Sequence, residues 1–351
     1  MYAYVGSRTT LERNARGLGI SVFRACPQDG RLELVQVVGD LVNPSYLTLG
    51  RGGSRLYAVH GDRAEISCFA VDQASGCLSL LNRQDTGGRN PVFLALAPDE
   101  QHVLISNHRD ATVAVLPIDA DGLLQSPRQV LELSGVLGPH RLEQQHPKPH
   151  ANPFTPSGRH VIVPDKGLDR IFSFRFADGR LSPAEPSPFV QTREGAGPRH
   201  VAFHPTHALI YVVNELDSTV TTYRLDPETA ELQPLQVVPT LPDTFTQNNR
   251  AAAIGINRAG SVLYVSNRGH DSIATLQIDH ATGLLRFVCT EPTQGRTPRA
   301  FANAPDEKFL YVLNEDSDSI VVFQVHGASG ALRATGDMVR TRSPVCMVFA
   351  P

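Results

Sequence analysis

Apolar and polar positions alternate along this chain in short runs rich in Val, Ile, Tyr and Phe, bounded by Gly, Pro, Asp or Asn. LIYVVN, STVTTYRL and LQPLQVV, the last ending at Val238, form one such set. Runs of this kind at roughly 8–12-residue spacing are antiparallel strands joined by tight turns. Turn dipeptides stand where hairpins need them, at Ser75-Gly76, Asp121-Gly122, Asp178-Gly179, Thr282-Gly283 and Ser329-Gly330. No apolar period of about 3.6 residues is sustained, so the pattern predicts few helices.

The runs also recur at longer range. Pro44, Pro91, Pro149, Pro198, Pro298 and Pro344 each open an apolar run, and most of these close on a second proline seven residues later, at Pro98, Pro156, Pro205, Pro305 and Pro351. Sixteen residues after the first proline, a polar residue ends a strand-like stretch: His60, Asn107, Asp165, Asn214 and Asn314. One unit keeps the frame without its prolines, as AAAIGINRAGSVLYVSN ending at Asn267. From Pro44 to Pro344 is 300 residues, or six steps averaging 50. Strand-rich units at a fixed period of about 40–50 residues are propeller blades.

The two ends supply one more blade. PVCMVFA after Ser343 is a single strand, whereas YAYVGS, GISVFRA and LELVQVV at the start are three strands without an inner partner. Joining them removes exposed sheet edges. The expectation is an all-β, seven-bladed β-propeller with four antiparallel strands per blade, in one domain spanning 1–351. Blades start near Pro44, Pro91, Pro149, Pro198, Ala251 and Pro298, and the last combines 344–351 with 1–38. The least regular stretch, 134–149, lengthens one step to 58 residues and is expected to loop over one face.

Composition narrows the class of partner. The 32 basic and 35 acidic residues leave a net charge of −3, with no general attraction to nucleic acid or an anionic membrane. The chain enters a strand at Tyr2, so no signal peptide is expected, and no apolar run approaches the ~20 residues that span a bilayer. Five scattered cysteines without CxxC spacing read as reduced structural thiols, and the expected location is the cytoplasm.

In a propeller the innermost strand of each blade runs along the channel and the second strand returns. Residues beside each first proline therefore meet those at each sixteenth position on one rim. That rim gathers His60, Asn107, Arg109, His150, Asp165, Arg199, His200, Asn214, Glu215, Arg250, Asn267, Arg268, Arg299 and Asn314. Such convergence suits a polar, anionic small molecule. Strand-end Asn107, Asn214, Asn267 and Asn314 have turn capping as a competing account. Arg250 and Arg299 have pairing with carboxylates as theirs. The mid-strand Tyr57, Tyr211, Tyr264 and Tyr311 are expected in the core. Departures from the repeat carry the functional expectation. Glu215 follows Asn214 where other blades have Arg268, Glu315, Lys166 or His108; Arg199-His200 replace the Val92-Phe93 of an earlier blade; and His150 is the one histidine directly after a blade-opening proline.

GPRHVAFHP (197–205), YVVNELDSTVTTY (211–223), YVSNRGHDSIATLQID (264–279) and FLYVLNEDSDSIVVFQV (309–325) resemble the seven-bladed propeller lactonase family. That family includes bacterial propeller-type 6-phosphogluconolactonases and fungal carboxymuconate cyclases, and the resemblance spans essentially the whole chain. The absence of tryptophan argues against WD40 blades. By motif, the resemblance implies catalytic roles for His150 in PHANPFTP, Arg199 in GPRH, Glu215 in VVNEL and Arg268 in SNRG. Many members read His-x-His before the TP or SP element, whereas here Lys148 takes the first histidine's place and adds positive charge.

The implied activity is hydrolysis of a sugar-phosphate lactone, most directly 6-phosphogluconolactone in the pentose phosphate pathway, with no cofactor and no metal. Glu215 or His150 would be the base, with His150 the proton carrier near neutral pH. Arg199 and Arg268 would hold the substrate anion and the developing charge, while His200, Arg250, Arg299, Asp165, Asn214, Asn314 and Lys148 would bind substrate. Three alternatives stand beside this reading. A carboxymuconate-type cyclase or lactonase would use the same groups. A non-enzymatic interaction platform would need an apolar rim, and this rim is charged. A metal-dependent lactonase would take Asn107, Asn214, Asn314 and Glu215 as oxygen ligands.

Overall fold

The alternating runs form strands that pair as seven four-stranded antiparallel sheets, the blades of a β-propeller, in the computed structural model, which describes residues 1–350. Pro351, the expected close of the last run, lies outside them. In chain order we number the blades 1 (44–85), 2 (91–132), 3 (149–191), 4 (198–239), 5 (250–292), 6 (298–340) and 7 (344–349 with 2–38). Helix is confined to short 3-10 turns, Leu11–Arg13 and Glu315–Ser317 among them. Among the described residues no helix is long and apolar enough to cross a membrane.

Both ends of the chain build blade 7. Pro344–Phe349 lies antiparallel to Tyr2–Ser7, with Ala3 opposite Phe349 and Ser7 opposite Pro344. Blade 3 is the irregular one. Its innermost segment meets the sheet only through isolated bridges, Pro149 with Asp165 and Phe154 with Val161. Pro149, Pro153 and Pro156 have no N–H to give a continuous ladder. Its outer strand is divided into Arg180–Pro183 and Phe189–Gln191, both paired with Arg170–Ala177.

Blades pack face to face through the apolar half of each alternation. Tyr211 and Val213 of blade 4, for example, lie against Val265 and Ala274 of blade 5, all fully buried. Each such Val or Leu contributes about 1.5–3 kcal/mol by leaving water. The mid-strand tyrosines are core residues, and they also stitch neighbouring blades together. Tyr211 Oη donates to the Gly283 carbonyl at 2.8 Å, Tyr264 to Gly330 at 2.6 Å, Tyr311 to Gly30 at 2.9 Å, Tyr57 to Gly122 at 2.8 Å and Tyr4 to Gly76 at 3.1 Å. The receiving residue is a hairpin glycine at positive φ, +70° at Gly283, where a Cβ would sit 2.1 Å from Leu209 Cδ1. One turn glycine therefore serves the hairpin and the approach of the next blade together.

Candidate active site

The repeat sets two rings of side chains at one mouth of the channel. At the inner strands of five blades the ladder register slips within the first residues: Pro44/Tyr46, Pro91/Phe93, Pro198/His200, Ala251/Ile254 and Pro298/Ala300. Such a bulge leaves a residue unpaired and re-aims its side chain. Ser45, Val92, Arg199 and Arg299 occupy these positions and line a cavity of about 130 Å³. His150, directly after Pro149 in blade 3, lines it too, with His200, Tyr46, Phe301, Cys346 and Met347.

The second ring follows the sixteenth positions, which pair with the first prolines: Pro44 with His60, Pro91 with Asn107, Pro198 with Asn214 and Pro298 with Asn314. The N–H of the next residue donates to the carbonyl just before the first proline. Gly61 reaches Asn43, His108 reaches Asn90, Lys166 reaches Lys148, Glu215 reaches Gly197, Glu315 reaches Thr297 and Arg8 reaches Ser343, all at 2.7–3.0 Å. One backbone contact thus sets the following residue of six blades at equivalent places, a side chain in all but Gly61, while Arg268 of blade 5 lies in the ladder opposite Arg250.

Glu215 is the hub of this ring. Its Oε1 lies 3.1 Å from Lys166 Nζ, and its Oε2 lies 3.0 Å from Arg199 Nε and 3.2 Å from Arg268 Nη2. Burial pushes its carboxyl up, but Lys166, Arg268 and Arg199 together outweigh burial and hold it well below the usual carboxylate range. Arg199 Nη1 also donates to the Ala252 carbonyl at 2.5 Å, and Arg268 Nη2 to Ala251 at 3.1 Å. The 134–149 segment is pinned by Gln144, whose Nε2 donates to the Lys166 carbonyl at 2.9 Å. It delivers Glu143 to Lys166 at 3.1 Å and to Arg250 at 2.7 Å.

Three imidazoles stand beside the hub. His150 lies 5.1 Å from His200 and 5.2 Å from His108, ring centre to ring centre and edge to face. Arg199 Nη1 lies 3.3 Å from both ring nitrogens of His200. Burial, then the Arg199 charge, holds His150 and His200 well below the ordinary imidazole value; burial, then Lys166, does the same for His108. The ring of His150 has its Nδ1 buried and without a hydrogen-bond partner among the described residues.

Three expected substrate ligands are engaged at strand ends. Asn214 Nδ2 donates to Thr219 and Thr221 hydroxyls at 2.9 and 3.0 Å, and Asn314 Nδ2 donates to the Thr293 carbonyl at 3.1 Å. Asp165 accepts from the backbone N–H groups of Lys148, Gly167 and Leu168, and burial raises its carboxyl to about 6. These side chains hold the strand ends, as turn capping requires, and none lines the cavity. Arg250 stands at the outer mouth, half exposed, and Lys148 is buried close to the Lys166 and Glu143 charges. Among the described residues no group of three or more His, Cys, Asp or Glu side chains is arranged to hold a metal ion. Burial pushes the Cys346 thiol in the cavity wall up to about 12, so it is no nucleophile near neutral pH.

Sequence reasoning did not single out Arg8 or Glu143. Arg8 follows Ser7, which closure sets opposite Pro344, so it is the blade 7 equivalent of Glu215. Carrying the repeat through the joined ends would have found it. Its Nε lies 2.9 Å from Glu315, and burial, then neighbouring Arg299, lowers its guanidinium to about 9.

Comparison with known proteins follows the same line. The family model described as "Lactonase, 7-bladed beta-propeller" matches residues 2–349. The chain belongs to the seven-bladed β-propeller lactonase family. This membership makes it a lactone-hydrolysing enzyme. A 6-phosphogluconolactonase of Bacillus subtilis is 34% identical over 312 residues, 88% of each chain. One of Formosa agariphila is 31% identical over 320 residues, covering 88% of this chain and 87% of that one. The crystal structure of a periplasmic gluconolactonase of Pseudomonas aeruginosa superposes with a TM-score of 0.92 at 29% identity, over 100% of this chain and 99% of that chain.

Proposed function

We propose that this lactonase hydrolyses a phosphorylated sugar lactone, 6-phosphogluconolactone to 6-phosphogluconate. The observation that carries the reading is the charge at the mouth. Seven cations (Arg8, Lys148, Lys166, Arg199, Arg250, Arg268 and Arg299) stand there with three carboxylates (Glu143, Glu215 and Glu315), an excess of four in a chain of net charge −3. Partly dry walls strengthen each of these charges toward an anion. The names of the Bacillus and Formosa relatives point the same way.

The chemistry divides among these side chains. Neutral His150 accepts a proton from the attacking water as oxygen bonds to the lactone carbonyl carbon. Arg199 donates to the oxyanion that forms. Collapse breaks the ring C–O bond, and the leaving alkoxide takes the proton back from the His150 imidazolium, giving the open hydroxy acid. Acid–base assistance of this kind contributes roughly 10²–10⁴-fold. Glu215 has both oxygens engaged by cations, so it positions Arg199 and Arg268 and is not the base. On this reading the enzyme works in the cytoplasm, in the pentose phosphate pathway. The Pseudomonas relative makes unphosphorylated gluconolactone the comparison substrate.

The test is hydrolysis of freshly generated 6-phosphogluconolactone, in EDTA, by wild type and by the Arg199→Ala and Glu215→Gln variants. Rapid turnover by wild type, with collapse in both folded variants, is the expected result. Wild type no faster than buffer defeats the sugar-phosphate reading and sends the same proteins to muconolactones.

A further inference from the structure

Resting on the phospholactone reading, we propose that Arg8 and Arg299 form a dedicated anchor for the substrate's phosphate, across the channel from the imidazoles that serve the lactone. The two arginines come from blades 7 and 6, while His150 comes from blade 3. In a ring of seven, blades three and four steps apart face each other. Both arginines line the same cavity as His150 and Arg199.

The pair is short of negative charge. Glu315 is the one carboxylate ion-paired with either among the described residues, at 2.9 Å from Arg8 Nε and 4.0 Å from Arg299 Nη1. Two guanidiniums thus share one carboxylate, and one positive charge is left facing the cavity. The Arg8 side chain is only 5% exposed, yet its Nη1 has no hydrogen-bond partner among the described residues. A buried guanidinium N–H left unpaired is costly, and a phosphate oxygen satisfies it. Arg199 and Arg268 each also have a buried Nε without a hydrogen-bond partner, but both give an Nη donor to a backbone carbonyl and converge on Glu215.

The surroundings fit an anchor better than a catalytic group. Tyr46, Leu47, Phe301, Val345 and Met347 wall the cavity and keep the local dielectric low. No imidazole touches Arg8 or Arg299 in any hydrogen bond or ring contact of the described residues. Because Arg8 and Arg299 share one cavity with His150 and Arg199, a molecule with a phosphate at one end and a lactone carbonyl at the other can meet both sets of groups. The arrangement acts as a ruler that favours phosphorylated over unphosphorylated rings.

The experiment has two arms. Binding of inorganic phosphate to wild type, Arg8→Met and Arg299→Met is measured by calorimetry, with the melting temperature of each variant recorded. In parallel, kcat/KM is measured on 6-phosphogluconolactone and on gluconolactone. Loss of charge-assisted hydrogen bonds predicts phosphate affinity lower by roughly 10–100-fold in each variant. The ratio of kcat/KM for phosphorylated over unphosphorylated lactone falls by a similar factor. Undetectable phosphate binding by wild type, unchanged affinity in a folded Arg299→Met, or an unchanged ratio overturns the anchor. If wild type hydrolyses neither lactone, the function proposed above fails, while the phosphate arm still decides the anchor.

Discussion

Glu215→Gln isolates what the buried hub does, because the amide keeps the shape and removes the charge. In the native site one carboxylate meets Lys166, Arg199 and Arg268 at 3.0–3.2 Å, with side chains no more than 13% exposed. Removing one partner of a buried ionic cluster leaves uncompensated charge, and costs about 3–5 kcal/mol. A chain of 351 residues has an unfolding entropy of about 0.7 kcal/mol/K near its midpoint, so the expected drop in Tm is roughly 4–7 °C. Inorganic phosphate at a hundred times its Kd stabilises by about 2.7 kcal/mol, roughly 4 °C on the same scale. The variant has gained positive charge at the mouth, so at equal phosphate its Tm should rise by more than that of wild type. Calorimetric scans in phosphate-free and phosphate-containing buffer read both effects. The pH–rate profile separates the roles: with Glu215 as a positioning residue, kcat falls but the acid limb keeps its shape. A variant that melts within about 1 °C of wild type, responds equally to phosphate and loses the acid limb would refute the reasoning and make Glu215 the base.

Further outcomes follow from the same geometry. His108, His150 and His200 bind protons less readily folded than unfolded, so the stability of their neutral forms is full above about pH 6.5 and declines as pH falls below it. Each contributes up to about 1.4 kcal/mol per pH unit in that window; urea midpoints at pH 7 and pH 5 measure the slope, and His150→Gln should flatten it. Tyr211→Phe removes one inter-blade hydrogen bond and should cost about 1 kcal/mol. Gly283→Ala should cost more, through its positive φ and the 2.1 Å approach to Leu209, and equal urea midpoints for the two variants would contradict this. Truncation after Ser343 strips the inner strand from blade 7 and exposes the edge of Tyr2–Ser7, so size-exclusion chromatography should show aggregation in place of a single species.

The sequence determined the fold because its information is local and repeated. Period-two alternation sets strands, turn glycines set hairpins, and a fixed step from Pro44 to Pro344 makes the strands blades. The same repeat marked His150, Arg199, His200 and Glu215 as residues that break it, and the fold gathers these four at one mouth. Tertiary structure decided what each of them is. Whether Asn214 faces substrate or its own strand end depends on the threonine hydroxyls at 219 and 221 beside it. The bulge that turns Arg199 and Arg299 inward is a register shift, invisible in residue types alone. Protonation is likewise a property of neighbours: burial beside Arg199 lowers the proton affinity of His150, and three cations from three blades lower that of Glu215. Arg8 joins Glu315 only because the ring closes, bringing the start of the chain to a residue more than 300 positions away. Strand and turn propensities act between near neighbours and can be read in one dimension. Charge, burial and ring closure act through space, and only the closed propeller fixes them.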